Sequence, residues 1–421
     1  MRRAVMATIL LSVLPVLGVW ARGQPSLPAV VPDGPLSPVD AINAVTALTD
    51  DGVRLFESKD FVEACRRFSA ALEHEPDSDV LRRNVTRCFA EWGWDALRAG
   101  DADQAIRHFR QGLRRTPQGA ELLTGLGVAA VQAGRLDMAI PALEGAIRTR
   151  PDSELRLLLA RLYDQRDDPE QAVVHLRRLI VASPDHSEAR RLLDKLEREQ
   201  AVETGLRKQE SAHFILKEPL DRAVGGLSGL AFVLEELYAE IGSRLGHQAR
   251  EQIVVIVYPE RGFREVTRSH AWVSGLFDGK IRLPEAVLAE PADRLRRLLA
   301  HELTHAVVHH VARGHAPRWL QEGLAQHFEG TLDDNVVDLP RGLSLAGLDA
   351  LLTDADEAKA RTGYRAALWL CRELIDRGGL RSITALLRRL GDAEPVAASI
   401  AAVYGGTLTD LEAEWRRILG G

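Results

Sequence analysis

The sequence predicts a multidomain fold, with an all-α solenoid of helix pairs followed by an α+β domain. Proline recurs between residues 76 and 184 at nearly constant intervals, with small and large apolar residues repeating in register. Further along, a β-branched run and a short hairpin signal predict strands, and a His-Glu-x-x-His motif occupies residues 301–305. The 421 residues leave room for two domains with substantial cores.

Residues 1–23 have the features of a signal peptide. Two arginines precede an uncharged run over residues 4–20, and small residues lie at positions 21 and 23. The alternative is an uncleaved anchor, because the apolar run is barely long enough to span a bilayer. A proline-rich linker over residues 24–40 follows. We therefore expect an exported protein, periplasmic or extracellular, that contacts the membrane only if this segment is not cleaved.

Residues 41–200 are predicted to form about four tetratricopeptide repeats and a capping helix. Pro76, Pro117, Pro151 and Pro184 lie 41, 34 and 33 residues apart, close to the period of about 34 for this repeat. Each first helix carries a small residue, namely Gly52, Gly93, Gly127 and Ala160. Each second helix carries an alanine and, four residues later, a large apolar residue, in the pairs Ala64 with Phe68, Ala105 with Phe109, Ala139 with Leu143 and Ala172 with Leu176. The longer first interval fits an extended helix, and residues 187–200 fit a capping helix.

Stacked helix pairs form a concave groove that generally holds a peptide or a partner protein. We expect the repeats to recruit a protein substrate or partner through this groove. The arginines of residues 107–115 could line the groove and bind acidic segments of a partner. The alternative is that these charges only solvate exposed helix faces. With 54 basic against 60 acidic residues, the chain has no electrostatic signature of nucleic-acid binding.

The second domain carries the residues of a zinc site. His301 and His305, four residues apart, share one face of a helix, so both imidazoles can reach a single Zn²⁺ with Glu302 beside them. A catalytic zinc needs a third protein ligand. Val311 occupies the position where metzincins place a third histidine, which excludes that class. Glu322 follows far enough along the chain for a turn and a second, antiparallel helix to bring it opposite the histidines.

The segment His301–His305 (HELTH), followed by Trp319–Ala325 (WLQEGLA), resembles the gluzincin metallopeptidases. The resemblance is closest to the bacterial peptidase MA-like domains, which are often joined to tetratricopeptide repeats. It implies a thermolysin-like α+β domain, here over residues 205–421, that hydrolyses peptide bonds. It also implies that His301, His305 and Glu322 hold one Zn²⁺ per chain.

The resemblance also implies that Glu302 is the general base. The negative oxygen of the tetrahedral intermediate needs a hydrogen-bond donor in addition to the metal. Gluzincins often place a tyrosine on a later helix, which implies Tyr364 here. A packing role is the alternative for Tyr364, and His315, Arg318 and Arg365 are alternative donors.

Two other interpretations of the zinc site stay open. The histidines could be incidental, because histidine is frequent in this region. We expect His309, His310, His315 and His327 to be surface or supporting residues. The competing function is an envelope scaffold or binding protein whose zinc domain is structural or weakly active.

The remaining elements of the second domain are predicted coarsely. Strands are expected at residues 211–217 and 252–258 with a helix over 220–245 between them, and a hairpin over 272–283 turns at Asp278-Gly279. The gluzincin resemblance implies that residues 273–277 or 280–283 receive substrate as an added strand. An ordinary hairpin is the alternative.

Residues 331–360 should wrap the cleft as a loop with short helices. Residues 364–419 should be helical, with breaks at residues 378–379 and 405–406. Gly323 inside a helix suggests close approach to the helix that carries the histidines.

Three cysteines cannot all pair with one another. Cys65 and Cys88 lie on helices expected to be neighbours, so they can form a disulfide in an oxidising compartment, although buried free thiols are the simpler expectation. Cys371 lacks metal-ligand spacing. If the repeats only recruit a partner, a chain that starts near Val202 should fold, bind zinc and cleave short peptides by itself.

Overall fold

A computed structural model describes residues 38–220, 226–247, 252–268, 275–330, 344–354, 356–407 and 409–413. Over residues 38–203 eight helices form four antiparallel pairs, and a ninth helix ends the array. They are α1 (Pro38–Glu57), α2 (Phe61–His74), α3 (Asp79–Arg98), α4 (Ala102–Arg115), α5 (Ala120–Gln132), α6 (Leu136–Thr149), α7 (Ser153–Gln165), α8 (Pro169–Ala182) and α9 (Ser187–Glu203). The first helix begins inside the predicted linker, and the predicted signal peptide lies outside the described residues.

The repeated small and large residues pack against each other within each helix pair. A Cβ on Gly52 would lie 2.7 Å from the ring of Phe68, and one on Gly93 would lie 2.5 Å from the ring of Phe109. A Cβ on Gly127 would lie 2.5 Å from the side chain of Leu143. The large residues of all four pairs are buried. These contacts explain why the first helix needs a small residue at this position, and the predicted all-α solenoid is confirmed.

The long first interval between repeat prolines comes from α3, which has 20 residues against 13 in α5. Cys65 on α2 and Cys88 on α3 form a disulfide, with their Cα atoms 5.5 Å apart. The simpler expectation of free thiols at these two positions is therefore wrong. Cys371 is free and buried.

The second domain combines a five-stranded sheet with helices. Its strands are β1 (Arg207–Glu210), β2 (Phe214–Glu218), β3 (Ile253–Tyr258), β4 (Leu276–Phe277) and β5 (Ile281–Pro284). Its helices are α10 (Gly226–Arg244), α11 (Glu260–Thr267), α12 (Ala292–Val311), α13 (Arg318–Glu329), α14 (Leu345–Leu351), α15 (Glu357–Gly391) and α16 (Val396–Tyr404), with a 3₁₀ turn over Glu285–Ala289. The α+β prediction is confirmed. The described residues contain no helix with the length and apolar character of a membrane span.

The sheet has the strand order β1-β2-β3-β5-β4, with the inner pairs parallel and the outer pairs antiparallel. One face, with Leu216, Val255 and Ile281, belongs to the main core beneath α10 and α12. The other face, with Ile256 and Tyr258, packs against α11 and the end of the repeat array. Strand β3 is buried on both faces, which is why its sequence is an unbroken apolar run.

The turn at Asp278-Gly279 joins β4 to β5 as predicted. Strand β5 lies between β3 and β4, so residues 280–283 cannot be the edge that receives an added strand, and that alternative is wrong. Strand β4 is the edge on this side of the sheet, and β1 is the other edge. Residues 273–274 of the other alternative lie outside the described residues.

The C-terminal helices break near the predicted glycines and at one further point. Gly379 interrupts α15 with a φ of 68°, and Gly405 ends α16 with a φ of 76°. Residues 392–395 form a further break that has no glycine pair to predict it. The predicted loop between α13 and α15 includes α14, and residues 331–343 of it lie outside the described residues.

The repeat array docks directly on the sheet. Val202 and Leu206, at the end of the array, pack against the apolar face formed by Ile256 and Tyr258. Buried ion pairs cross the same boundary, for example between Lys280 and Asp164. A chain that starts near Val202 would lose one side of this interface. The structure therefore does not favour the independent folding that the sequence suggested.

Candidate metal centre

Helices α12 and α13 bring the three predicted ligands together. The Nε2 atoms of His301 and His305 are 3.2 Å apart. Oε2 of Glu322 lies 3.7 Å from Nε2 of His301 and 3.5 Å from Nε2 of His305. Among the described residues this is the one group of three histidine, cysteine or acidic side chains close enough to hold a metal ion.

The turn between the two helices sets this geometry. Gly314 takes a φ of 75° and donates its N–H to the carbonyl of His309 at 2.8 Å, so the chain reverses directly after α12. Pro317 then directly precedes the first residue of α13, as its N-cap. The buried Trp319 anchors the new helix in the core, and Asp349 accepts its backbone N–H at 2.8 Å.

The residues fit a zinc ion. Zn²⁺ binds histidine nitrogen and carboxylate oxygen at about 2.0–2.2 Å in a tetrahedron, which places neighbouring ligand atoms roughly 3.3–3.6 Å apart. The three distances here lie close to that range. Burial raises the pKa of Glu322, but the two histidines lower it by more. The pKa is therefore below its usual value, so the carboxylate is ionised and available as a ligand.

Glu329 supports the first histidine from behind. Its Oε2 lies 2.9 Å from Nδ1 of His301, which leaves Nε2 for the metal. Burial lowers the pKa of His301, but the hydrogen bond to Glu329 and the charges of Glu302 and Glu322 outweigh it and raise the value to about 9. Carboxylates that stabilise an imidazolium also favour a divalent cation. A carboxylate on the outer nitrogen is the usual partner of a zinc-bound histidine.

Glu302 is only 5% exposed and lies beneath the backbone of Gly275. A Cβ on Gly275 would lie 2.6 Å from Oε1 of Glu302, so a side chain at this position would displace the carboxyl group. Burial is the main cause that raises the pKa of Glu302. A raised pKa brings a carboxylate closer to the value that suits a general base near neutral pH.

Tyr364 lies on α15 and packs partly buried against the main core. Burial and the charges of Glu322 and Glu302 raise its pKa, so the hydroxyl stays protonated beside these carboxylates. Arg318, on the first turn of α13, is close enough to lower the pKa of both Glu322 and Tyr364. His315 lies in the turn before α13, and Arg365 follows Tyr364 on α15. The assignment of Tyr364 as the donor stays a prediction.

Gly323 approaches a different helix from the one expected. A Cβ at this position would overlap the carbonyl oxygen of Ala367 and Sγ of Cys371, both on α15. The sequence-based expectation of close approach to α12 is wrong. Gln326 adds a second link between α13 and α15, because its Nε2 donates to the carbonyl of Tyr364 at 2.8 Å.

The other histidines of the region pack against rings elsewhere. The ring of His309 contacts Phe277 with centroids 5.4 Å apart, and that of His310 lies 5.4 Å from His247. Burial lowers the pKa of His310 to about 3 and that of His247 to about 4, so both rings are neutral. His327 contacts Phe328.

Three residues that shape the centre were missed in the sequence. Glu329 follows Glu322 by seven residues, a spacing that places both on one face of a helix and could have identified it. Gly275 and Asp349 gave no local signal, because they reach the centre from other elements.

Comparison with known proteins agrees with this architecture. Residues 91–154 and 130–196 match tetratricopeptide repeat families, and residues 286–421 match the Peptidase MA superfamily. A search of curated proteins finds no match.

Solved repeat structures give weaker likenesses. The match to the protein MamA covers 38% of this chain and 83% of the MamA chain, with 19% sequence identity and a TM-score of 0.29. A thermophilic tetratricopeptide repeat protein from Thermus thermophilus is 17% identical, covering 36% and 98%, with a TM-score of 0.22. A tetratricopeptide repeat protein from Parabacteroides merdae is 11% identical, covering 83% and 99%, with a TM-score of 0.32. These scores are too low to support an inference about this chain.

The family matches fall on the helical array and on the domain that carries the metal centre. The chain therefore combines tetratricopeptide repeats with a C-terminal domain of the Peptidase MA superfamily.

Proposed function

We propose that this chain is an exported zinc metallopeptidase that hydrolyses peptide bonds, with repeats that recruit a protein substrate or partner. One observation carries the proposal: Nε2 of His301, Nε2 of His305 and Oε2 of Glu322 converge within 4.8 Å of one another beside the buried Glu302. Membership of the Peptidase MA superfamily supports a peptidase. The three ligands leave one position of a tetrahedral zinc open for substrate or water.

When bound, zinc supplies the Lewis acidity that activates water and polarises a carbonyl group. Glu302 would accept the proton of the attacking water and pass it to the leaving amine, and burial, which raises the pKa of its carboxyl group, favours this role. Glu329 holds His301 in the tautomer that presents Nε2. Tyr364 or Arg318 would donate to the developing negative charge on the carbonyl oxygen.

The repeats and the N-terminus support the other two parts of the proposal. Tetratricopeptide repeats generally bind proteins, and recruitment would raise the concentration of a substrate near the metal centre. The signal-like residues 1–23 and the disulfide between Cys65 and Cys88 favour an oxidising compartment outside the cytosol.

The scaffold alternative also has one observation in its favour. Glu302 and His305 are 5% and 9% exposed, and Gly275 covers Glu302 directly. A centre closed in this way suits a structural zinc, which needs no access for substrate.

A variant of the base separates these two functions. Glu302→Gln should keep the fold and one zinc per chain but lose peptidase turnover by roughly 10²- to 10⁴-fold, because only the proton acceptor is removed. Glu322→Ala should lose zinc itself. The matched control Glu290→Gln, on the exposed segment before α12, should match the wild type. Zinc content is measured by elemental analysis and turnover by sequencing cleavage products of a peptide library. Full zinc with no cleavage by the wild type would instead identify the scaffold.

A further inference from the structure

A buried cluster of charged side chains joins the repeat array to the sheet. We call it the interdomain cluster. The repeats contribute Asp164, Asp167, Lys195, Glu199 and Glu203. The second domain contributes Lys217, Tyr258, Asp278, Lys280 and Arg282. Four cations meet five carboxylates here, and the charges are therefore nearly balanced.

Arg282, on β5, lies at the centre of this cluster and is fully buried. Its guanidinium donates to Oε1 of Glu199 at 2.8 Å, to Oδ1 of Asp278 at 2.9 Å and to Oε1 of Glu203 at 3.4 Å. The hydroxyl of Tyr258 accepts a further bond from Arg282 and donates to Glu203 at 2.5 Å. Arg282 thus binds two carboxylates from α9 and one from its own hairpin.

Two lysines repeat this pattern on either side of Arg282. Lys280, 3% exposed, lies 2.8 Å from Oδ1 of Asp164, beside the turn between α7 and α8. Lys217, on β2, lies 2.6 Å from Oδ1 of Asp167. In the opposite direction Lys195 of α9 reaches Oδ2 of Asp278 at 3.0 Å. The hairpin turn is therefore tied to α7 through Lys280 and to α9 through Asp278.

The same hairpin reaches the metal centre at its other end. Gly275, directly before β4, lies against the carboxyl group of Glu302. Phe277 of β4 contacts the ring of His309 on α12, with centroids 5.4 Å apart. Gly275, whose backbone covers Glu302, precedes Arg282 by fewer than ten residues along the chain. This short segment therefore links the metal centre to the ion pairs between Arg282 and the repeat array.

Buried charges hold their partners in one arrangement, because an unpaired charge in the interior is costly. Catalytic side chains need support of this kind, since a small displacement lowers the rate. We propose that the end of the repeat array positions the β4–β5 hairpin over Glu302, with Glu199 and Glu203 of α9 as positioning residues that act through Arg282. The inference rests on the proposed peptidase function and extends it, because the repeats then shape the catalytic site in addition to recruiting a partner.

The test replaces both carboxylates in the full-length, zinc-loaded protein. Glu199→Gln/Glu203→Gln keeps the size of each side chain and removes the two charges of α9 that face Arg282, while Asp278 of the hairpin stays in place. We expect faster amide exchange over residues 275–284, measured by hydrogen exchange and mass spectrometry. We also expect a fall of roughly tenfold to hundredfold in kcat for a short peptide, with zinc content and KM nearly unchanged. Glu197→Gln is the matched control, because Glu197 lies on the same helix and pairs with Arg177.

If the double variant shows the amide exchange and the kcat of the wild type, the proposal is wrong. If the double variant does not fold, Asp164→Asn removes only one partner of Lys280 and is read in the same way. The exchange measurement needs no activity. A wild-type protein without peptidase activity would therefore refute the proposed function, while unchanged exchange in the variant would refute the positioning role separately.

Discussion

At the scale of single residues, the candidate metal centre depends on side chains other than the three proposed ligands. Glu329 fixes the orientation of His301, and Asp349 fixes the start of the helix that carries Glu322. Both act by hydrogen bonds from one helix to the next. The three proposed ligands thus keep their spacing because neighbouring elements hold the two helices in place.

Loss of Glu329 should therefore weaken metal binding without removing a ligand. In Glu329→Gln we expect zinc affinity to fall by about 10- to 100-fold, because a neutral amide supports the imidazole less well than a carboxylate. Competition with a chromophoric chelator measures the affinity. Glu357→Gln, an exposed change at the start of α15, is the control and should leave affinity unchanged. Equal affinity in the two variants would contradict the role of Glu329.

At the scale of elements, the sequence predicted local structure better than contacts between elements. The repeat helices, the Asp278-Gly279 turn and the three proposed metal ligands follow from periodicity, motif spacing and the family resemblance. Strand β1 was missed because Arg207–Glu210 contains only charged and polar residues. Lys217 and Arg282 look like solvent-facing charges in the sequence. Their burial depends on carboxylates of the repeat array, which no local pattern relates to the strands.

The contact of α13 with α15 can be tested at Gly323. Gly323→Ala places a Cβ against Ala367 and Cys371, so we expect destabilisation by about 1–3 kcal/mol from overpacking. Gly229→Ala on α10 is the control, because nothing lies within 4 Å of its new Cβ. That change should be neutral or stabilise by up to about 1 kcal/mol, since alanine favours a helix. Urea unfolding measures both. Similar effects at the two sites would show that Gly323 is not constrained by α15.

At the scale of the whole molecule, the repeats and the second domain share one interface. The sheet is covered by helices of its own domain on one face and by the end of the repeat array and α11 on the other. Arg282 and Lys280 are almost completely buried between them. The proposed recruiting half and the proposed catalytic half share these buried contacts, so we do not expect either half to be stable without the other.

Truncation tests this directly. A chain of residues 202–421 keeps Lys217, Lys280 and Arg282 but loses Asp164, Asp167 and Glu199. Breaking a buried ion pair from one side costs about 3–5 kcal/mol, so we expect aggregation or a greatly lowered Tm. A chain of residues 120–421 retains the interdomain cluster and should unfold cooperatively and bind zinc. Calorimetry and elemental analysis compare the two. A stable, zinc-bound 202–421 chain would show that the interface is dispensable.

The interdomain cluster also has a consequence for synthesis. Glu199 and Arg282 are 83 residues apart in sequence. A ribosome that adds about 5–20 residues per second would take roughly 4–17 s to cover that distance. The repeats, whose contacts are local, can fold well within this time. Until the sheet forms, Asp164, Asp167, Glu199 and Glu203 are free to bind water at the open end of the array. The growing chain would thus present a polar, hydrated end to its surroundings. The same carboxylates would later form the surface on which the sheet packs.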